Sequence, residues 1–220
     1  MKLGSQVDLE SVLVSVAESE LFSRRCAIGL GARIPPQVNL RVRYSPSAEW
    51  SADDRRAIVS AAQEVRADLL GPLVSAEVRW FEATLEAKDL APLRTVGTAE
   101  FEGLAPDRRL GTLVAEIERG RDTPDAEFSG AVRRLRREFQ LPRMRGRPGL
   151  IGRTIDGPFT VFEGMTRLAA LLALVRAGGV TACEVPSYVG LTDSLPRWAA
   201  DAPPADAAPS DASKERPGPV

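Results

Sequence analysis

Apolar positions along the chain change period several times, and each change marks an element. Leu9, Val12, Leu13 and Val16 fall at helical spacing and predict an amphipathic packing helix over residues 8–22. Residues 24–36 carry Gly29, Gly31 and Pro35-Pro36, which predict an irregular stretch. Val38, Leu40, Val42 and Tyr44 then alternate with Asn39, Arg41 and Arg43, the pattern of a half-exposed strand. Ser51, with Asp54 three residues on, opens a helix in capping-box fashion. Ile58, Ala62, Val65 and Leu69 form its inner face, and Gly71-Pro72 is expected to stop it. A strand from Val78 and Trp80 to about Leu85 follows, then a tight turn or short helix at residues 89–93.

The second half alternates more regularly. Leu110, Leu113, Val114 and Ile117 predict a helix that stops at Gly120. Phe128, Val132, Leu135 and Phe139 predict another, opening near Asp125. Residues 150–153 and 159–162 flank the turn signal Asp156-Gly157-Pro158 and read as a hairpin. Leu168, Leu171, Leu172 and Val175 fall on one face of a buried helix that ends at Gly178-Gly179, and a strand over residues 184–190 follows. Residues 201–220 carry no large apolar residue before the last position and are expected to form a disordered tail.

The chemistry of interest lies where the hairpin meets the buried helix. Glu163, Gly164, Met165, Thr166 and Arg167 stand between strand and helix. A strand that stops at a glycine and opens into a helix leaves backbone N–H groups pointing outward at the positive end of the helix dipole, a ready anion site. A cation in the first helical turn is unfavourable by roughly 0.3–1 kcal/mol unless an anion lies between it and the helix end. A bound phosphate satisfies that requirement, and so does Glu163 through a local ion pair. Spacing alone leaves both readings open. The Thr166 hydroxyl is expected to cap the helix or to touch the same phosphate.

This segment resembles the ParB/sulfiredoxin-like superfamily, in the nucleotide-binding domain of ParB N-terminal type and its uncharacterised bacterial branch. There a strand runs into Gly-x-x-Arg or Gly-x-Arg-Arg at a helix start. The matching positions are Gly164 and Arg167, followed by Leu168-Ala169-Ala170; the strand at 184–190 and Trp198 are similar too, and the likeness covers roughly residues 75–199. The resemblance implies that Gly164, Met165, Thr166 and Arg167 hold the phosphate of ATP or another nucleotide, with Mg²⁺. Arg153 on the hairpin is a further candidate contact, and Glu163 is the candidate carboxylate for orienting or deprotonating an acceptor. Similar proteins phosphorylate free serine and others hydrolyse a nucleotide, so a phosphotransferase with a small-molecule acceptor, or a nucleotide hydrolase, leads. Sulfiredoxins need a cysteine where this chain has Met165-Thr166, and partition proteins need two adjacent arginines and a helix-turn-helix domain, so neither activity is expected.

Composition narrows the rest. The 220 residues, 44% hydrophobic and 27% charged with net charge −1, suit one globular domain with no general pull toward nucleic acid or membranes. No apolar run is long enough to span a membrane and no signal-peptide core is present, so the expected compartment is the cytoplasm. Histidine is absent, which excludes Ser-His-Asp triads, Cys-His pairs and His-ligated zinc. Cys26 and Cys183 form no CxxC motif; Cys183 reads as a small core residue and Cys26 as a plain thiol. Arg133, Arg134, Arg136 and Arg137, then Arg143, Arg145, Arg147 and Arg153, make the one strongly basic region. A solvated helix face, a basic rim beside a phosphate site and a nucleic-acid surface all account for such a run.

The sequence therefore predicts an α+β fold of the ParB/sulfiredoxin-like kind, a small mixed sheet with packed helices. Residues 1–74 read as a helical N-terminal extension able to add a strand to the same sheet, 75–200 as the domain and 201–220 as the tail. The alternative to an enzyme is a non-catalytic nucleotide-sensing or adaptor module with a protein partner, or a nucleic-acid binder using the arginine run at 133–153, DNA being the less expected partner.

Overall fold

The structure is a computed structural model and describes residues 1–22, 27–124, 126–137 and 145–200. Cys26, Asp125, Glu138, Phe139, Arg143 and the expected tail at 201–220 lie outside the described residues.

Among the described residues five strands build one mixed sheet. Its strands are β1 (Lys2–Val7), β2 (Arg79–Glu86), β3 (Gly149–Gly152), β4 (Thr160–Glu163) and β5 (Glu184–Leu191), in the spatial order β1-β2-β5-β3-β4. β3 runs parallel to β5, and every other pairing is antiparallel. The helices are α1 (Leu9–Phe22), α2 (Ala27–Gly31), α3 (Pro36–Tyr44), α4 (Ala52–Val65), α5 (Ala67–Ser75), α6 (Ala87–Leu90), α7 (Ala99–Glu102), α8 (Leu110–Glu118), α9 (Ala126–Arg137) and α10 (Met165–Arg176), with a 3₁₀ turn at Ser47–Glu49. The α+β class holds. No helix among the described residues is long and apolar enough to cross a membrane.

Alternation along the strands sends side chains to two different cores. Ala83, Leu85, Leu150, Val161, Val185 and Val189 face α8, α9 and α10, where Leu113, Phe128, Val132, Leu168 and Leu172 meet them. Trp80, Ile151 and Phe162 point the other way, onto Val12, Leu13 and Val16 of α1 and Leu69, Leu70 and Leu73 of α5. α1 is apolar on a second face as well: Val14, Ala17 and Leu21 pack with Val38 and Val42 of α3 and Ile58, Ala61 and Ala62 of α4. It thus lies between the sheet and the α3–α4 layer, and the first 75 residues share a core with the sheet.

Three local expectations need correction. Residues 38–44 are helical, in α3, because Pro36 stands in the first turn, where its fixed φ suits a helix. Val38 and Val42, four apart, go inward, while Leu40 and Tyr44 remain 64% and 84% exposed. The strand that the first 74 residues contribute is β1 instead, which the pattern does not predict because only Leu3 and Val7 are apolar in it. Gly71-Pro72 does not end the helix that Ser51 starts. That helix breaks at Arg66, with φ −120° and ψ 36°, and α5 runs through Pro72. Ala27–Gly31 forms a short helix within the stretch expected to be irregular.

Candidate functional site

Strand β4 delivers Glu163 to the sheet edge opposite Gly149, and Gly164 then turns the chain into α10. Gly164 adopts φ +81°, a left-handed conformation open to glycine at little cost, and a Cβ there would stand 3.1 Å from Pro148 Cβ and from Arg167 Nη2. No side chain caps the helix. The expected Thr166 cap is not made.

The guanidinium of Arg167 is taken up by the protein itself. Its Nη1 donates to the carbonyl oxygens of Arg145 (2.6 Å) and Gly146 (2.8 Å). Its Nη2 donates to Ser19 Oγ (2.9 Å) and to Glu163 Oε1 (3.1 Å). Ser19 in turn donates its hydroxyl to Glu163 Oε1 at 2.5 Å. Glu163 is 8% exposed. A carboxylate next to the positive end of α10 and paired with Arg167 is the anion that a cation in a first helical turn calls for. Of the two readings the spacing left open, the ion pair is therefore the one the structure displays.

Gly164, Met165, Thr166 and Arg167 are brought together at the start of α10, and Arg153 is not among them. The β3–β4 register places Gly149 beside Glu163. Arg153 lies past the other end of β3, roughly 13 Å away at about 3.3 Å per strand residue. It is exposed, in the loop that carries the cis Gly157–Pro158 peptide.

The segment that Arg167 grips also forms one wall of an open cleft. The cleft has a volume of about 680 Å³, and Tyr44, Arg55, Arg145, Arg147, Tyr188 and Glu18 are among its lining. Arg147 stacks over the Tyr188 ring at 5.0 Å and donates through Nη1 to Glu82 Oε1 at 2.6 Å. Arg145 lies 4.0 Å over the Phe22 ring. Arg55 donates through Nη2 to the carbonyls of Ser47 and Ala48, and its Nε is buried without a partner. The Arg147 hydrogen bond holds the Glu82 carboxyl below its usual range, and burial pushes the Tyr188 phenol up. Asp8 and Glu18, also at the cleft, accept from the Ser11 amide and the Ser47 hydroxyl.

Sequence reasoning missed this cleft and its supports, Ser15 and Ser19. The available signal was Ser11, Ser15, Ser19 and Phe22 at i, i+4, i+8 and i+11 of α1, a third stripe on a helix apolar on two other faces. The basic run divides differently. Arg133 pairs with Asp122 at 2.7 Å and with the Arg121 carbonyl, and Arg136 stands 3.6 Å from Glu118. Two of the α9 arginines are thus engaged within the protein. Among the described residues no group of three or more His, Cys, Asp or Glu side chains is placed to hold a metal ion.

Comparison with family models, curated proteins and solved structures finds no match for this chain. The likeness to the ParB/sulfiredoxin-like superfamily accordingly rests on the residues that suggested it.

Proposed function

We propose that this protein is a nucleotide-binding module without a catalytic step, and that the ligand occupies the cleft bounded by Arg55, Arg145, Arg147, Tyr44 and Tyr188. The observation that carries this reading is that three arginines, Arg55, Arg145 and Arg147, and two tyrosines, Tyr44 and Tyr188, line one opening of about 680 Å³, which Asp8, Glu10 and Glu18 also border. That volume lies within the roughly 300–1,000 Å³ of small-molecule sites. Guanidinium forks suit phosphate oxygens, which two donors of one side chain can meet at once. Tyr44, largely exposed at the cleft, offers a planar face to a base. Any Mg²⁺ would enter with the nucleotide phosphates, since no acidic cluster among the described residues invites it alone.

Phosphoryl transfer or nucleotide hydrolysis with Glu163 as the acid–base group is the weaker reading, because that carboxylate is held by Ser19 and Arg167. Phosphate at the tip of α10 is weaker for the same reason: Arg167 spends its donors on carbonyls and on Glu163. Nucleic-acid binding through α9 loses support from the internal pairing of Arg133 and Arg136. An adaptor role with a protein partner is compatible with the module reading.

A thermal-shift panel of ATP, ADP, CTP and GTP with Mg²⁺ tests the proposal. A nucleotide at 100 times its Kd stabilises the native state by about 2.7 kcal/mol. The wild type is expected to respond to at least one nucleotide, and the response is expected to vanish in Arg147→Ala and to shrink in Tyr44→Ala. No response to any of the four overturns it.

A further inference from the structure

We infer that Arg167 is a positioning residue: it holds the backbone of Arg145 and Gly146 from behind, so that the side chains of Arg145 and Arg147 are presented to the cleft. This rests on the cleft being the binding site. One Nη1 group bridges two successive carbonyl oxygens, those of Arg145 and Gly146, at 2.6 and 2.8 Å. From α1, Ser15 Oγ accepts the Arg147 amide at 2.6 Å. Between these anchors the chain turns at Gly146 with φ +69°, and a Cβ there would overlap the Ser15 carbonyl oxygen. Three consecutive residues are therefore fixed from two sides, by α10 and by α1.

Arg145 and Arg147 both line the cleft, and Arg167 does not. Their guanidinium groups lie over the rings of Phe22 and Tyr188. Such stacking fixes the plane of each fork; Arg147 already gives Nη1 to Glu82 Oε1, so a ligand there meets its remaining donors. The energetic logic is preorganisation. A loop already ordered in the free protein does not charge its ordering entropy against ligand binding. Arg167 suits the role because its five donors span several acceptors in fixed geometry, and the Glu163 carboxylate neutralises it where it is only 14% exposed. On this reading the strand–glycine–arginine box serves the cleft through main-chain carbonyls rather than by touching phosphate.

The test uses the full chain in two arms. In the first, amide hydrogen exchange is followed in wild type, Arg167→Ala and the double variant Arg167→Ala/Glu163→Ala, which leaves no unpaired buried carboxylate. Exchange at residues 145–147 is expected to rise about tenfold or more in both variants, the equivalent of about 1.4 kcal/mol, while β2 and β5 keep their protection. In the second, ATP, ADP, CTP and GTP are titrated at low and high salt. Arg167→Ala is expected to weaken binding about tenfold with the salt dependence of the wild type, whereas Arg147→Ala flattens that dependence because it removes a charge at the ligand. Unchanged exchange at 145–147, or an Arg167→Ala variant with the flattened salt dependence of Arg147→Ala, overturns the inference. If the wild type binds none of the four nucleotides, the cleft reading falls, and with it the presentation role; the exchange arm then tells whether Arg167 nonetheless fixes the loop.

Discussion

Arg167 Nη2 stands 3.1 Å from Glu163 Oε1, four residues back in the chain, and the pair sets two opposite charges of the protein side by side at the start of α10. Ser19 completes it from α1, far away in sequence. The helix end is thereby joined to α1, and the Arg145–Arg147 segment that Arg167 also holds borders the cleft.

That pairing sets a stability cost. Arg167→Ala leaves the Glu163 carboxylate buried with Ser19 as its remaining side-chain donor, and removing one partner of such a pair costs about 3 kcal/mol. Replacing Glu163 and Arg167 together with apolar residues is expected to cost less than Arg167→Ala alone. Urea unfolding of the three proteins checks the order, and equal losses in single and double variants would contradict it.

Gly146 has a backbone reason to be glycine. Its φ of +69° disfavours an L side chain, and a Cβ would meet Ser15 in the neighbouring helix. Gly146→Ala is expected to lose about 2 kcal/mol or more from strain and displacement of α1. Gly120 is the control: it also has positive φ, at +89°, but open space around its Cβ, so Gly120→Ala is expected to cost only the conformational part, about 1 kcal/mol. Thermal or urea melts of both variants decide it.

The pH response follows from Glu86. Its carboxyl is lowered from 4.5 to about 2, first by the Lys88 hydrogen bond and then by Lys2 of β1. A group that binds its proton less readily when folded stabilises the native state fully above its unfolded value. The contribution is therefore present above about pH 4.5 and lost as pH falls toward about 2. Urea midpoints between pH 5 and 2 are expected to fall for the wild type and to fall less for Glu86→Gln. Parallel curves would contradict the assignment.

Much of the second half was legible because its segments are long and bounded by clear signals. The period of Leu168, Leu171, Leu172 and Val175, with Gly178 after it, could belong only to a buried helix, and the hairpin before it carries its own turn. Residues 38–44 failed because Val38, Leu40, Val42 and Tyr44 satisfy period two and also the i, i+4 spacing of a helix, and Pro36 decides between them. The box itself was found, but its partners were not. Whether Arg167 meets a phosphate or Glu163 depends on Ser19 and on the carbonyls of residues 145 and 146, and nothing local to residues 163–167 records that they arrive there.

The most direct test of the account is to map backbone amide resonances during titration with ATP and Mg²⁺. If the cleft is the site, shifts concentrate at residues 44–48, 145–147 and 188, while Met165, Thr166 and Arg167 stay still. Shifts centred on residues 164–168, with those at 145–147 small, would return the ligand to the helix tip and contradict the account.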